Sequence, residues 1–309
     1  MKQELTLVGL ISGARSHLAA AGVIDTALDS RLLMQHALQI SHAEILAEPR
    51  KLVSVEEAAR FGKLVARRAQ RVPLAYLTGE KEFYGRAFHV NESVLIPRPE
   101  TEHLLEAALA LVPPSANGCV IELGVGSGAL LVSLLAERPN LLGIGVDLSL
   151  AAIEVSRINA TSHGVHSRAA FLCGDWGQSL AGSFDLALSN PPYLSADEMK
   201  NCQAELEFEP RLALAGGVDG LVAFQQIAVQ LPRLMRPGAQ VLLEIGASQG
   251  AAVRAALESA GLRELRINRD LAGHERVIAA KIPQQGVSLT GEKKGLERAP
   301  LGANLPRQS

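Results

Sequence analysis

The run Ser189-Asn190-Pro191-Pro192-Tyr193 combines an amide side chain, two prolines and an aromatic ring in five residues. The Asn190 side-chain oxygen and the Pro191 carbonyl can each accept one N–H of a planar NH2 group. Two acceptors fix the orientation of that group and stabilise positive charge developing on its nitrogen. Such a grip matters most for an amide nitrogen, a poor nucleophile because its lone pair is delocalised. It reacts only when held with that lone pair in line with an electrophilic carbon. The prolines lock the backbone so that the Pro191 carbonyl points inward, and Tyr193 offers a flat surface to a planar group. No general base is needed before transfer, because the proton can leave afterwards. Asn190, Pro191 and Tyr193 are thus the candidate catalytic residues, and Asn190, Pro191, Pro192 and Tyr193 the candidate substrate contacts. The competing reading is a plain turn, since Asn-Pro is common in loops.

A second constellation lies upstream in Glu122-Leu123-Gly124-Val125-Gly126-Ser127-Gly128-Ala129. Glycines allow a backbone to turn tightly and lie against a ligand, and the helix that follows presents free N–H groups. Asp147 stands 23 residues beyond Gly124, at a strand end where a carboxylate can accept from both hydroxyls of a ribose. Asp147 can equally serve as a helix cap, a task Ser149 could share. The spacing of Gly124, Gly126 and Ala129 also satisfies a dinucleotide fingerprint. Nicotinamide cofactors and S-adenosylmethionine both carry ribose, so these residues alone do not separate them. Further on, Asp175 can accept from an adenine amino group and Trp176 can cover the ring face; the alternative for this one tryptophan of the chain is a core filler. An NH2 clamp has no use in hydride transfer, so loop and clamp together point to S-adenosylmethionine. The expected cofactor contacts are Gly124, Val125, Gly126, Ser127, Gly128, Asp147, Asp175, Trp176 and Asn190.

These residues need a sheet to bring them together. From Cys119 onward apolar strands alternate with helices: Cys119–Leu123, Leu142–Val146, Ala169–Cys173, Phe184–Leu188 and Gln240–Glu244 read as strands, with helices over Ala129–Glu137 and Leu150–Asn159. That alternation builds a parallel sheet covered by helices on both faces. Leu262–Asn268 and Arg276–Ala280 read as a closing antiparallel pair. Upstream, Leu7, Leu10, Ile11, Ala14, Leu18 and Ala21 form one apolar helical stripe. Ser41 with Glu44, and Ser54 with Glu57, make two capping boxes, so a small helical bundle is expected. Between the two parts, Glu82–Val90 suggests a β-hairpin, and Ile96-Pro97-Arg98-Pro99-Glu100 a rigid turn with a helix following from about Pro99. The expected organisation is a helical domain over 1–73, a hairpin connector over 74–98, an α/β domain over 99–282 and a disordered tail over 283–309.

Composition sets limits on partners. The chain has 309 residues, 48% hydrophobic and 20% charged, with net charge −2, as in soluble globular proteins. Phosphate-binding proteins usually carry a basic excess; none exists here, so direct nucleic-acid binding is not expected. Cys119, Cys173 and Cys202 are odd in number and lack paired spacing, and Cys119 and Cys173 are expected to be buried, inert thiols. No metal site is expected, because His89, His103 and His274 lack neighbours at ligand spacing. The N-terminus lacks a signal-peptide core and no apolar stretch reaches the ~20 residues of a membrane span. A cytoplasmic protein without membrane contact, monomeric by default, is expected.

At this point the chain resembles the release-factor glutamine methyltransferase family. The likeness runs over residues 5 to 281 and is carried by several runs besides the clamp. They are Arg71-Val72-Pro73-Leu74-Ala75-Tyr76-Leu77-Thr78-Gly79, Ile96-Pro97-Arg98-Pro99-Glu100-Thr101-Glu102 and Phe208-Glu209-Pro210-Arg211, then Gly217-Val218-Asp219-Gly220-Leu221 and Leu242-Leu243-Glu244-Ile245-Gly246. The resemblance implies a seven-stranded, Rossmann-like class I methyltransferase sheet, with a helical N-terminal domain that recognises substrate. It implies methylation of the side-chain nitrogen of the glutamine in the Gly-Gly-Gln motif of class I peptide-chain release factors. A sibling family that modifies a glutamine of ribosomal protein L3 shares the clamp but usually reads differently at Pro97-Arg98-Pro99-Glu100, so the Pro99-Glu100-Thr101-Glu102 run favours release factors. Val125 stands where threonine is common, and Glu122 where aspartate is common; both preserve backbone shape. Adenine-N6 methylation of nucleic acid would use the same clamp but needs a basic, base-reading surface. A non-catalytic binder would have no need of the clamp.

Overall fold

The computed structural model describes residues 5–284. The tail expected to be disordered lies, from residue 285 on, outside the described residues. The first part is helical: α1 (Leu7–Ala20), α2 (Thr26–Leu38), α3 (His42–Ala47), α4 (Val55–Ala69) and α5 (Leu74–Thr78). Their shared core holds Leu7, Leu18, Leu33, Met34 and Phe61. The capping boxes at Ser41/Glu44 and Ser54/Glu57 are both formed and open α3 and α4, each satisfying two otherwise free backbone donors.

The hairpin follows as β1 (Glu80–Phe83) and β2 (Arg86–His89). It turns at Tyr84 and Gly85, whose φ values are 51° and 71°, the paired positive angles of a tight turn that matches strand twist. Its apolar face does not idle as a linker. Phe83 and Phe88 are buried in the same core as Leu104 and Leu105 of α6 (Thr101–Leu111). The turn is pinned to the start of α6, where the Tyr84 N–H donates to Glu102 Oε1 at 2.9 Å. On the other side Asn159 holds both backbone polar groups of His89, accepting from its N–H at 2.8 Å and donating to its carbonyl at 2.9 Å.

The remaining elements are β3 (Gly118–Leu123), α7 (Ala129–Glu137), β4 (Leu141–Asp147), α8 (Leu150–Ser162), β5 (Ala169–Cys173), β6 (Phe184–Ser189), α9 (Ala196–Lys200), α10 (Val222–Leu234), β7 (Met235–Glu244), α11 (Gly250–Ser259), β8 (Arg263–Arg269) and β9 (Glu275–Lys281). They build the seven-stranded sheet β5-β4-β3-β6-β7-β9-β8. β5, β4, β3, β6 and β7 pair in parallel, and β9 pairs antiparallel with both β7 and β8. The order reverses between β3 and β6, so the ends of these strands border the crevice where open α/β sheets bind ligands. α7 is buried from Ala129 through Leu135, wedged between the sheet and α6 and α8.

Three expectations change. Cys173 is exposed and Cys119 half-buried. β5 is an edge of the sheet, and its last two residues, Leu172 and Cys173, are exposed. β7 begins at Met235 rather than Gln240, because Met235 pairs with Phe184 ahead of an irregularity that absorbs Arg236-Pro237-Gly238. α6 starts at Thr101, with Glu100 as its cap residue, two residues beyond Pro99.

Candidate active site

A cavity of about 500 Å3 opens at the carboxyl ends of β3, β4, β5 and β6, within the ~300–1,000 Å3 usual for ligand sites. Its wall brings together Gly124, Val125, Gly126, Ser127, Asp147, Asp175, Trp176, Asn190 and Pro192 from the sequence candidates. Gly128, Pro191 and Tyr193 stand off that wall. Pro191 is buried, and the Tyr193 ring packs on the second core of the sheet.

The glycine loop is stitched to the next strand. The Gly124 and Val125 N–H groups both donate to the Val146 carbonyl, at 2.8 and 2.9 Å. From α8, Ser156 Oγ donates to the Gly126 carbonyl at 2.7 Å and Asn159 Nδ2 to the Ser127 carbonyl at 2.8 Å. Gly128 caps α7 without a side chain, and Glu122 takes over the task by accepting the Leu131 N–H at 2.9 Å. The longer acid thus reaches the first turn of the helix. Burial holds the Glu122 carboxyl well above the usual carboxylate range.

Asp147 accepts the Gly126 and Ser149 N–H groups at 2.8 and 2.9 Å. A carboxylate has about four acceptor sites, so capacity for ribose hydroxyls remains. Ser149 is the helix cap, accepting from Ala152 at 3.2 Å. Burial raises the pKa of Asp147, opposed by the Ser149 and Gly126 N–H groups. Asp175 is exposed at its rim and accepts from Gln178 at 2.7 Å. Trp176 is half-buried with φ 50°, its Nε1–H donating to Gln226 Oε1 at 2.8 Å. It packs on the edge of the core and also forms cavity wall.

Asn190 follows β6 directly. Its Nδ2 donates to Thr101 Oγ1 at 3.0 Å, which leaves Oδ1 as the acceptor. The Tyr193 carbonyl accepts Gln249 Nε2 at 3.0 Å, and burial, with Glu244 nearby, pushes its hydroxyl pKa up. Two carboxylates of the segment after the clamp tie it to earlier parts of the chain. Glu209 accepts from the Ile96 N–H and pairs with Arg98. Glu205 takes both Arg68 and Arg71 of the helical part, the latter at 2.6 Å.

The wall fits S-adenosylmethionine. A side chain added at Gly126, where φ is 53°, would meet no atom within 4 Å, so the loop leaves open space beside Asp147. Among the described residues the wall's one basic side chain is Arg98, already paired with Glu209. No free cation waits there for a pyrophosphate, and the carboxylates suit a cationic ligand. No group of three His, Cys, Asp or Glu among the described residues could hold a metal ion, and no described helix is long and apolar enough to cross a membrane.

The fold adds Thr101 and Gln226 to the wall, and both bond a candidate residue, Asn190 and Trp176 respectively. Thr101 lies in the Ile96–Glu102 run, whereas Gln226 has no local signal.

Comparison with known proteins gives the same picture. The family described as PrmC N-terminal domain matches residues 10–79, and the Methyltransferase small domain family matches residues 101–210. The release factor glutamine methyltransferase of Cereibacter sphaeroides is 45% identical over 88% of this chain and 97% of its own length. That of Caulobacter vibrioides is 40% identical over 89% of this chain and 96% of its length. That of Nitratidesulfovibrio vulgaris is 42% identical over 89% and 95%. With identity at this level across nearly the whole of each relative, the chain belongs to the release factor glutamine methyltransferase family.

Proposed function

We propose that this chain methylates the side-chain nitrogen of the glutamine in the Gly-Gly-Gln motif of class I peptide-chain release factors. The observation that carries the reading is the Asn190–Thr101 hydrogen bond at 3.0 Å on the wall of the cofactor-sized cavity. With its NH2 tied off, Asn190 presents Oδ1 to an incoming N–H. Pro191 stands off the cavity wall, so only its backbone carbonyl is proposed as the second acceptor, and Tyr193, whose ring lies against the core rather than the cavity, steadies the turn instead of offering a flat surface to the substrate. S-adenosylmethionine supplies an electrophilic methyl. The chain's part is to hold the amide nitrogen in line with it and to stabilise the charge that grows there. With S-adenosylmethionine bound, the nitrogen–carbon bond would form as the carbon–sulfur bond broke, the electron pair of that bond being left on sulfur. The extra proton leaves the nitrogen afterwards.

Release factors are the acceptors named for the relatives above, and the helical part α1–α5 is the proposed docking surface. The test is methyl transfer from labelled S-adenosylmethionine to a purified class I release factor, ribosomal protein L3 and unmethylated DNA. Label on the release factor, lost when its Gly-Gly-Gln glutamine is changed to alanine, is the expected result. Label on L3 or DNA alone would overturn the substrate. Asn190→Ala is expected to nearly abolish transfer with a smaller loss of cofactor affinity.

A further inference from the structure

Two runs of the sequence, Gly217–Leu221 and Leu242–Gly246, meet the clamp through one side chain, that of Gln249. This residue stands at the cap position of α11 but makes no cap bond with its side chain. The Gly250 N–H is taken by Glu275 at 3.1 Å, which frees the Gln249 amide to reach across. Its Nε2 donates to the Tyr193 carbonyl at 3.0 Å and to the Gly220 carbonyl at 3.3 Å. Its Oε1 accepts the Gly246 N–H at 3.0 Å. A carbonyl only accepts and a backbone N–H only donates, so all three partners demand the same orientation of the amide.

The glycine turn closes on the same backbone. The Leu194 N–H donates to the Leu214 carbonyl at 3.0 Å and the Gly216 N–H to the Leu194 carbonyl at 2.8 Å, a short parallel bridge between Leu194 and Ala215. A Cβ at Gly216 would lie 2.8 Å from the Pro192 carbonyl oxygen. One at Gly220, where φ is 76°, would strike the Tyr193 carbonyl oxygen and stand 2.5 Å from Gln249 Nε2. Glycine is required at both positions because backbone meets backbone there. Pro191 therefore lies between two anchored points. Upstream, Asn190 is tied to Thr101; downstream, Tyr193 is tied to Gln249 and Leu194 to Gly216. The rings of Pro191 and Pro192 fix their φ angles, so few torsions remain and the anchors set where the Pro191 carbonyl points.

We infer that Gln249, closing on Gly220, is a positioning residue that fixes the Pro191 carbonyl in its direction toward the acceptor amide. The inference rests on the reading of Asn190 and Pro191 as a clamp. Asn190 is held by its side chain and Pro191 only through the backbone on either side of it. The second acceptor thus depends on Gln249 as the first depends on Thr101. A clamp whose two acceptors diverge still binds an amide, but it no longer holds the nitrogen in line, and a misplacement of about 1 Å can cost ~100-fold in rate.

The experiment compares kcat, with release factor saturating, against S-adenosylmethionine affinity in four variants. Gln249→Met, close in length, loses all three bonds. Gln249→Glu keeps an acceptor for Gly246 but has no donor for the two carbonyls. Both are expected to lose ~10–100-fold in kcat with cofactor affinity unchanged. Gly220→Ala should lose comparably by pushing on the same carbonyl. Gly273→Ala, with a φ of 86° at an open turn between β8 and β9, should keep wild-type kcat. Each kcat is expressed per cofactor site counted by calorimetry, which leaves unfolded protein out of the comparison. Wild-type kcat in Gln249→Glu would reduce the side chain to a brace for Gly246 and overturn the inference. Equal losses in Gly220→Ala and Gly273→Ala, or a fall in cofactor affinity that matches the fall in kcat, would overturn it too. Asn190→Ala separates the two levels. Inactive Asn190→Ala beside normal Gln249→Glu sinks only the role of Gln249, whereas active Asn190→Ala sinks the clamp itself.

Discussion

Asp147 Oδ2 accepts the Gly126 N–H at 2.8 Å, so the end of β4 and the loop after β3 hold each other in place. The second oxygen accepts from Ser149, and the carboxylate thereby shapes the loop while facing the cavity. Hydrogen bonds to charged groups contribute about 1.5–3 kcal/mol each. Asp147→Ala is expected to weaken S-adenosylmethionine binding ~10–100-fold, and Asp147→Asn, which keeps one acceptor, by less. Burial raises the pKa of Asp147, so wild-type affinity should decline as pH falls and that decline should vanish in Asp147→Asn. Calorimetric titration at two pH values checks both; equal affinity in all three proteins would remove the ribose role.

Trp176 is the chain's one tryptophan, and its ring lies 3.4 Å from where a side chain would begin at Gly124. Stacking on a base is worth about 1–3 kcal/mol. Trp176→Ala should therefore raise the cofactor Kd ~5–100-fold, while kcat at saturation changes little. The indole emission should respond to cofactor in wild type, which makes a fluorescence titration the direct measurement. A Kd that does not move would make Trp176 a core residue only.

Much of this was legible in the sequence because it is written in local patterns. β5 runs over the expected Ala169–Cys173, α7 over the expected Ala129–Glu137, and both capping boxes form. Local pattern cannot report which strand becomes an edge, and that is why Cys173 was expected inside. Nor can it report bonds across the chain. Asn190 meets Thr101 over 89 residues and Arg68 meets Glu205 over 137. The parts of the site built from such pairings became visible only in the fold.

Glu205 binds the helical part to the segment after the clamp. Its carboxylate takes Arg71 through both oxygens and Arg68 through one, while Arg68 also bonds Asp29 at 2.6 Å. Breaking a fully buried pair costs about 3–5 kcal/mol. Glu205 is 19% exposed, so Glu205→Ala is expected to cost about 1–3 kcal/mol after discounting for solvent. Burial pushes the Glu205 pKa up, but Arg71 and Arg68 together hold it below its ordinary value. The contribution is present above the usual glutamate range and is lost as pH falls through the lowered pKa. Urea unfolding at neutral and acid pH should show the variant's deficit shrinking with acid; a deficit that persists there would assign it to packing.

Glu244 carries the opposite sign. Burial holds it at about 7 in the fold, against ~4.3 in an unfolded chain. Between those values the folded state keeps a proton that the unfolded chain has released, so stability falls as pH rises from about 4.5 to 7 and then levels off. At ~1.4 kcal/mol per unit the cost reaches up to about 4 kcal/mol. Glu244→Gln removes it. The variant should unfold at higher urea than wild type at pH ~8 and at nearly the same urea at pH ~5. A variant less stable at both would show that the carboxyl is needed for packing rather than tolerated for function.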